Sequence, residues 1–481
     1  MNKQRTIEDI QLDFLVSALS EGQFVGTQDV LNWLREQNET VVNNVQQIPL
    51  QDLDGWQISN DKLCHDSGKF FSIEGIRIRT NYRNTPEWDQ PIINQPEIGF
   101  LGFITKKFNG VLHFLAQAKI EPGNLNVVQL SPTLQATRSN YTRVHKGATP
   151  NYLEYFNGEK PVHVLVDQLQ SEQGARFLHK RNRNIIVEVE EREEVPILPN
   201  FVWVSLKQIK DLLWYPNVVN MDTRTVISCI RYGSYSEQTL KLLNVMSCFE
   251  TSRRGGGVHS YIYSVLSEQN HYHELESIIH WITALKFKYE MEVQSIGLSH
   301  TRNWIYDGNT IHHEKNKYFD VIGVRCEIGN REVHTWCQPM VRSAQEGIMA
   351  FIVKKINGIY HFLVQAKLEA GNFDVVELAP TVQCLTGNYR KGENEYTIPY
   401  LDDVLNAPKE KIWYSCYQSE EGGRFYKEQN LNMIVEVGDE FPMEVDENYC
   451  WMTLNQMLSF VTYNNYLNIA ARSLLSAISM Q

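Results

Sequence analysis

A chain of 481 residues exceeds what one hydrophobic core holds, so at least two domains are expected. With 42% hydrophobic and 21% charged residues, it has a globular composition and not a disordered one. A total of 45 basic residues against 57 acidic ones leaves a net charge of −12, which excludes a broad basic surface for non-specific nucleic-acid binding.

In chain order, residues 1–25 read as a helical lead-in. No apolar run follows the first basic residues, and nowhere do 18 apolar residues run together, so neither a signal peptide nor a membrane span is expected. A helix opens at Thr27-Gln28-Asp29 with Val30, Leu31, Trp33 and Leu34 on it; Thr27 or Asp29 is the expected cap. Residues 76–79 alternate as a short strand. Strands over 100–107 and 111–121 flank Asn109-Gly110, a strong two-residue hairpin signal. Further strands are predicted at 126–130, 163–169 and 184–190, then helices at 206–213 and 223–229. The first unit ends near residue 230.

Residues 231–276 read as a connector, helical around 237–248 and interrupted by Arg253-Arg254 and three glycines, which make a hinge or a phosphate-binding turn. His271-Tyr272-His273-Glu274 reads as a solvated helix face in preference to a metal site. The second unit, 277–481, opens with a helix over 278–290 and closes with helices at 454–460 and 470–478. The eight cysteines form no Cys-x-x-Cys pair, so buried free thiols in a reducing cytoplasm are expected. The class is α+β, with mixed sheets flanked by helices.

The second unit repeats the first. His113-Phe114-Leu115-Ala116-Gln117-Ala118-Lys119 returns as His361-Phe362-Leu363-Val364-Gln365-Ala366-Lys367, and Trp33, Trp56 and Arg224 return as Trp281, Trp304 and Arg472, all at 361 − 113 = 248 residues. That period is far longer than a solenoid repeat, so it reads as a duplicated domain. Side chains alternate along a strand. One face of 111–121 therefore presents Phe114, Ala116, Ala118 and Ile120, and the other His113, Leu115, Gln117, Lys119 and Glu121. The second copy keeps the polar set as His361, Leu363, Gln365, Lys367 and Glu369. Gly110, Gly123, Pro132 and Gly174 read as fold determinants. Lys119, Glu121, Arg138 and Arg176 read as ligand-facing, with a Lys119–Glu121 ion pair as the structural alternative. His113 reads as packed.

Three segments carry a family resemblance: Gln117-Ala118-Lys119-Ile120-Glu121-Pro122-Gly123-Asn124, then residues 136–145, then Gln170-Ser171-Glu172-Gln173-Gly174-Ala175-Arg176-Phe177. With Tyr152-Leu153-Glu154-Tyr155-Phe156, they make the chain resemble the NDP-hexose 2,3-dehydratase family over nearly its whole length. The resemblance implies two tandem Nudix-like modules, a homodimer, and a dTDP-linked 4-keto-6-deoxyhexose as substrate. It also implies one pocket per half, with the first doing the chemistry. The metal-binding helix of hydrolytic Nudix enzymes is not matched: Glu190–Pro196 has the composition without the spacing, and Pro196 opposes a helix.

For such a substrate, the ketone at carbon 4 acidifies the hydrogen on carbon 3. A base removes it, the enolate expels the carbon 2 hydroxyl, and the enol tautomerises to a 3,4-diketone. The sugar's ketone is the electron sink, so no redox cofactor is expected, and with the Nudix metal helix unmatched no metal ligands are assigned. Glu121, Tyr141 and His145 are candidates for proton transfer and Lys119 for enolate stabilisation. Arg138, Arg143 and Arg176 are candidates for the pyrophosphate, with Gln117, Ser139, Asn140 and Thr142 beside them and Trp88 or Tyr82 as a thymine platform, a core role for Trp88 being the structural alternative. The second pocket would use Trp336, Gln365, Lys367, Glu369, Asn388, Tyr389 and Arg424. Arg138 becomes Thr386 and His145 becomes Glu393, so activity is expected in the first pocket. A nucleotide-sugar hydrolase and a non-catalytic nucleotide-sugar binding protein are the alternatives.

Overall fold

The structure, a computed structural model, describes residues 5–82, 85–137, 149–248, 261–329, 333–385 and 397–479. It is α+β, with mixed sheets in two similar halves. Each half builds one seven-stranded sheet. In the first, the order is His163–Ser171, Arg181–Glu188, Phe100–Phe108, Val111–Ile120, Phe201–Ser205, with two short strands, Val128–Ser131 and Leu134–Ala136, paired to 111–120 and 100–108. The 100–108 and 181–188 strands run parallel and the other pairs antiparallel. In the second half, Gly347–Ile356 and Gln429–Glu436 repeat the parallel pair, and Ile359–Lys367 takes the place of 111–120.

The hairpin forms where predicted. Asn109 and Gly110 have φ of 50° and 80°, and Asn357 and Gly358 have 52° and 83°. Two left-handed residues in succession match the twist of the flanking strands. Phe114, Ala116, Ala118 and Ile120 enter the main core, while Leu115 packs on the opposite face with Ile104, Tyr152 and Trp203. The helix Thr27–Thr40 is capped differently from expectation. Gly26 is the N-cap, and Asp29 reaches back from the first turn to accept from the Gly26 N–H at 3.1 Å.

Two smaller sheets join the halves. Met291–Ile296, from the second half, pairs with Ser72–Thr80 of the first, Met291 opposite Thr80 and Ile296 opposite Gly75. In return Asn43–Ile48 pairs with Phe319–Ile328, Asn43 opposite Ile328. Each half thus completes the other's small sheet. Glu87–Asn94 and Thr335–Ser343 lie on the far sides of 72–80 and 319–328.

Part of the 231–276 stretch is more than a connector. Ser17, on the helix Ile7–Leu19, donates to Leu112 O at 2.6 Å and accepts from Leu206 N at 2.9 Å. Ser264, on the helix Ile262–Leu266, makes the same bonds to Tyr360 O and from Leu454 N. Residues 271–274 precede the helix Leu275–Lys288 and are not themselves helical. Among the described residues no helix is long and apolar enough to cross a membrane. The described cysteines are free thiols; Cys229, Cys326, Cys416 and Cys450 are buried, whereas Cys64, Cys337 and Cys384 are only half-buried.

Candidate active site

The site begins where the strand 111–120 ends. The turn Glu121-Pro122-Gly123-Asn124 docks on a loop of the other half: Gly123 N donates to Gly422 O at 2.7 Å, and Lys427 N donates to Gly123 O at 2.9 Å. The mirror contact runs from Gly371 N to Gly174 O at 2.7 Å. A Cβ on Gly123 would lie 1.7 Å from Phe425 O, so the repeated glycine is required by backbone approach. Two fully buried arginines hold the crossing loops. Arg224 donates to Ser419 O and to Ser473 Oγ, and Arg472 donates to Ser171 O and to Thr225 Oγ1.

The crossing delivers Arg424 into the first half, where its guanidinium stacks on Phe71 at 4.2 Å. There it meets a cavity of about 400 Å³, a size suited to a small-molecule ligand. The first half contributes Lys119, Glu121, Gln135, Glu172, Lys180, Asn182 and Asp222; the second contributes Trp336, Gln338, Glu421 and Arg424. Gln135 organises one wall. Its carbonyl accepts from Lys119 Nζ at 3.0 Å and its side chain donates to Glu121 Oε1 at 2.9 Å. Trp336 Nε1 donates to Gln338 Oε1 at 2.8 Å, and Gln338 Nε2 donates to Gly423 O at 2.7 Å. The indole is thereby tied to the loop that carries Arg424.

Burial sets the charge of the cavity. It raises the Asp222 carboxyl well above the ordinary range, reinforced by Glu421, Glu121 and Glu172 and opposed by Lys119. Glu421 is pushed up to about 8, by burial first and by Glu121 second. Glu172 is raised by burial against the pull of Lys180, and Asn182 donates to it at 2.7 Å. Burial lowers Lys180 to about 8, and its ammonium donates to Glu97 O. With Glu421 raised to about 8, that carboxyl holds a proton at neutral pH, and burial biases Asp222 and Glu172 in the same direction, which offsets the acidic composition of the wall.

The second half repeats the frame. Lys367 Nζ donates to Gln383 O at 2.8 Å, and Gln383 Nε2 to Glu369 Oε1 at 2.9 Å. Trp88 Nε1 donates to Gln90 Oε1, and Gln90 Nε2 to Ala175 O, both at 2.9 Å. Arg176 faces Glu428, Glu369 and Glu420 and stacks on Phe319 at 4.1 Å.

By sequence, Trp88 and Arg176 group with Lys119 and Glu121, and Trp336 and Arg424 with Lys367 and Glu369. The structure crosses these pairs, because the loops and small sheets change sides. Gln117 is half-buried and Gln365 buried, each within its strand, and among the described residues the wall of the first cavity includes neither. Arg138, Ser139, Asn140, Tyr141, Thr142, Arg143, His145, Asn388 and Tyr389 lie outside the described residues, as do Thr386 and Glu393. Thr137, just before that segment, lines the cavity. Glu172, Lys180, Asp222 and Glu421 went unassigned from sequence. At three of these positions the two copies differ, Lys180 against Glu428, Asp222 against Ala470 and Gln173 against Glu421, and that difference was the available signal.

The sequence profile of NDP-hexose 2,3-dehydratases matches residues 27–230 and again 275–478. The chain belongs to the NDP-hexose 2,3-dehydratase family. A family member from Saccharopolyspora spinosa, named dTDP-4-dehydro-6-deoxy-alpha-D-glucopyranose 2,3-dehydratase, is 42% identical over 97% of this chain and 94% of its own. Relatives of the same name from Amycolatopsis orientalis and Streptomyces violaceoruber are 38% and 40% identical, over 97% and 93% of this chain and 93% and 95% of theirs. In this chain the half-to-half crossing described above is the framework on which the cavity is built.

Proposed function

We propose that the chain is a dTDP-4-keto-6-deoxyglucose 2,3-dehydratase, a hydro-lyase that removes water across carbons 2 and 3 to give a dTDP-3,4-diketo-2,6-dideoxyhexose. The observation that carries this reading is the match of both halves to a family whose relatives of that name align over nearly the full chain. The cavity supports it by bringing Glu121, Lys119, Asp222 and Glu421 into one lining, with Glu421 raised to about 8. In this reading Glu121 removes the carbon 3 proton and Lys119 stabilises the enolate oxygen, each such group contributing about 10²–10⁴-fold. Arg424 pairs with the diphosphate and Trp336 supplies a face for the base.

The first cavity is the working one in this proposal, and the second is auxiliary or vestigial. The halves are read as Nudix-like modules of common ancestry, over residues 1–230 and 277–481, in a cytoplasmic homodimer; the repeated sheet order supports the ancestry. Arg138, Arg143, Tyr141 and His145 remain candidates in the first half.

Incubation with dTDP-4-keto-6-deoxyglucose in deuterated water, followed by mass spectrometry, tests the activity. Loss of water with solvent deuterium at carbon 2 is expected. An unchanged sugar that still binds would make the protein a binder, and release of a nucleoside monophosphate would make it a hydrolase.

A further inference from the structure

The two sites share a frame but differ at many lining positions, among them Lys180 against Glu428, Thr137 against Leu385 and Asp222 against Ala470, and the difference at position 222 has the clearest chemistry. Asp222 lies in the first turn of the helix Met221–Ser228, and Ala470 in the first turn of its counterpart Ile469–Ala477. The caps are the same: Asn220 Oδ1 accepts from Thr223 N at 2.8 Å, and Asn468 Oδ1 from Ala471 N at 2.9 Å. The backbone therefore presents both positions alike, and only the side chain differs. Asp222 is 3% exposed and lines the cavity. No described residue donates a hydrogen bond to its carboxylate, although Asn182 and Gln135 serve the neighbouring carboxylates in this way. Holding a carboxyl on a side chain this buried costs desolvation, and the second half, with Ala470 at that position, does without it. The titratable neighbours of Asp222 are Glu421, Glu121, Glu172 and Lys119; burial and the three glutamates favour the protonated acid, and Lys119 opposes them.

We infer that Asp222 is the proton donor to the departing carbon 2 hydroxyl, and that this group separates the working cavity from its counterpart. The inference rests on the dehydratase reading and deepens it. As the enolate collapses, the carbon 2–oxygen bond breaks with its electron pair on oxygen. The Asp222 proton joins that oxygen and water leaves. In the tautomerisation that follows, the group that took the carbon 3 proton, having exchanged it with solvent, protonates carbon 2. The enol hydroxyl on carbon 3 returns its proton to Asp222, so both groups are reset and the net change is loss of one water. Expulsion of hydroxide without a donor is the step an unassisted pocket would perform poorly, and Ala470 has no proton to give.

Asp222→Asn and Asp222→Ala in the full chain test this, the second being what the other half already carries at that position. Each is incubated with dTDP-4-keto-6-deoxyglucose in deuterated water, with water loss followed by mass spectrometry and exchange at carbon 3 by proton NMR. Both variants are expected to fold, to bind the substrate and to keep exchanging the carbon 3 hydrogen. Water loss is expected to fall by about 10²-fold or more. Water loss within about threefold of the unsubstituted protein would overturn the assignment, since a general acid is worth more than that. Exchange and elimination lost together with substrate still bound would also overturn it, as would failure of both variants to fold. Failure of the unsubstituted protein to lose water would instead sink the dehydratase reading, and is seen first.

Discussion

His113 and His361 show how a repeated polar residue becomes structural. Each ring Nδ1 lies 2.9–3.0 Å from the carbonyl two residues before it, and each Nε2 accepts a backbone N–H at 3.0 Å, from Gln23 and from Tyr272. Those bonds require the neutral ring with its proton on Nδ1, and burial lowers both pKa values, His361 to about 4. The copies agree there because the fold needs the ring. They disagree at 180 and 222, where chemistry is free to diverge. Glu421 gives a titration that can be measured. Its carboxyl is raised to about 8 from an ordinary 4.5, so its contribution to stability is fully present below pH 4.5 and is lost as pH rises through 8. Glu421→Gln keeps an oxygen for the Gly423 N–H, which donates at 2.9 Å. Denaturant unfolding should find this variant gaining stability relative to the unsubstituted protein between about pH 5 and pH 8.5. A difference that stays flat over that range would refute the raised carboxyl.

At the scale of elements, the two kinds of repeated glycine part company. Gly110 sits in the hairpin turn at φ 80°, and a Cβ there would meet nothing within 4 Å, whereas one on Gly123 would stand 1.7 Å from Phe425 O and 2.8 Å from Gly422 O. Alanine at 110 costs only the left-handed conformation, about 1 kcal/mol. Alanine at 123 must push two backbones apart, and a loss above about 3 kcal/mol is expected from that clash and the broken turn bonds. Parallel thermal unfolding of Gly110→Ala and Gly123→Ala measures the contrast; equal losses would remove the close approach as the reason for the second glycine. The hairpin was readable from Asn109-Gly110 alone, because its geometry is set by adjacent residues. The docking of 121–124 on 421–425 was not, because the partners lie about 300 residues apart.

Across the whole molecule, strand exchange makes the halves interdependent. A fragment of residues 1–230 would lack Met291–Ile296 from its small sheet and Glu421 and Arg424 from its cavity. It would also leave Arg224 without Ser419 O and Ser473 Oγ. Each charged hydrogen bond lost there is worth about 1.5–3 kcal/mol. Neither half expressed alone should show a cooperative unfolding transition. Co-expression of 1–256 with 257–481 should recover soluble complex and turnover; a stable, cooperatively folded 1–230 fragment would contradict the exchange.

What the sequence determined by itself is whatever depends on neighbours or on comparison of the copies: the α+β class, the Asn-Gly hairpins, the alternation that sends Phe114 into the core and Lys119 to the cavity, and the family. What only the tertiary structure decided is which residues share a cavity. Trp336 and Arg424 join Lys119 and Glu121, 424 − 119 = 305 residues away in sequence, because backbone hydrogen bonds at Gly123 and Gly371 and the exchanged strands carry them across. A repeat at a fixed offset says that two sites are alike. It does not say from which copy each wall is drawn, since both assignments satisfy the same local pattern and only long-range packing distinguishes them.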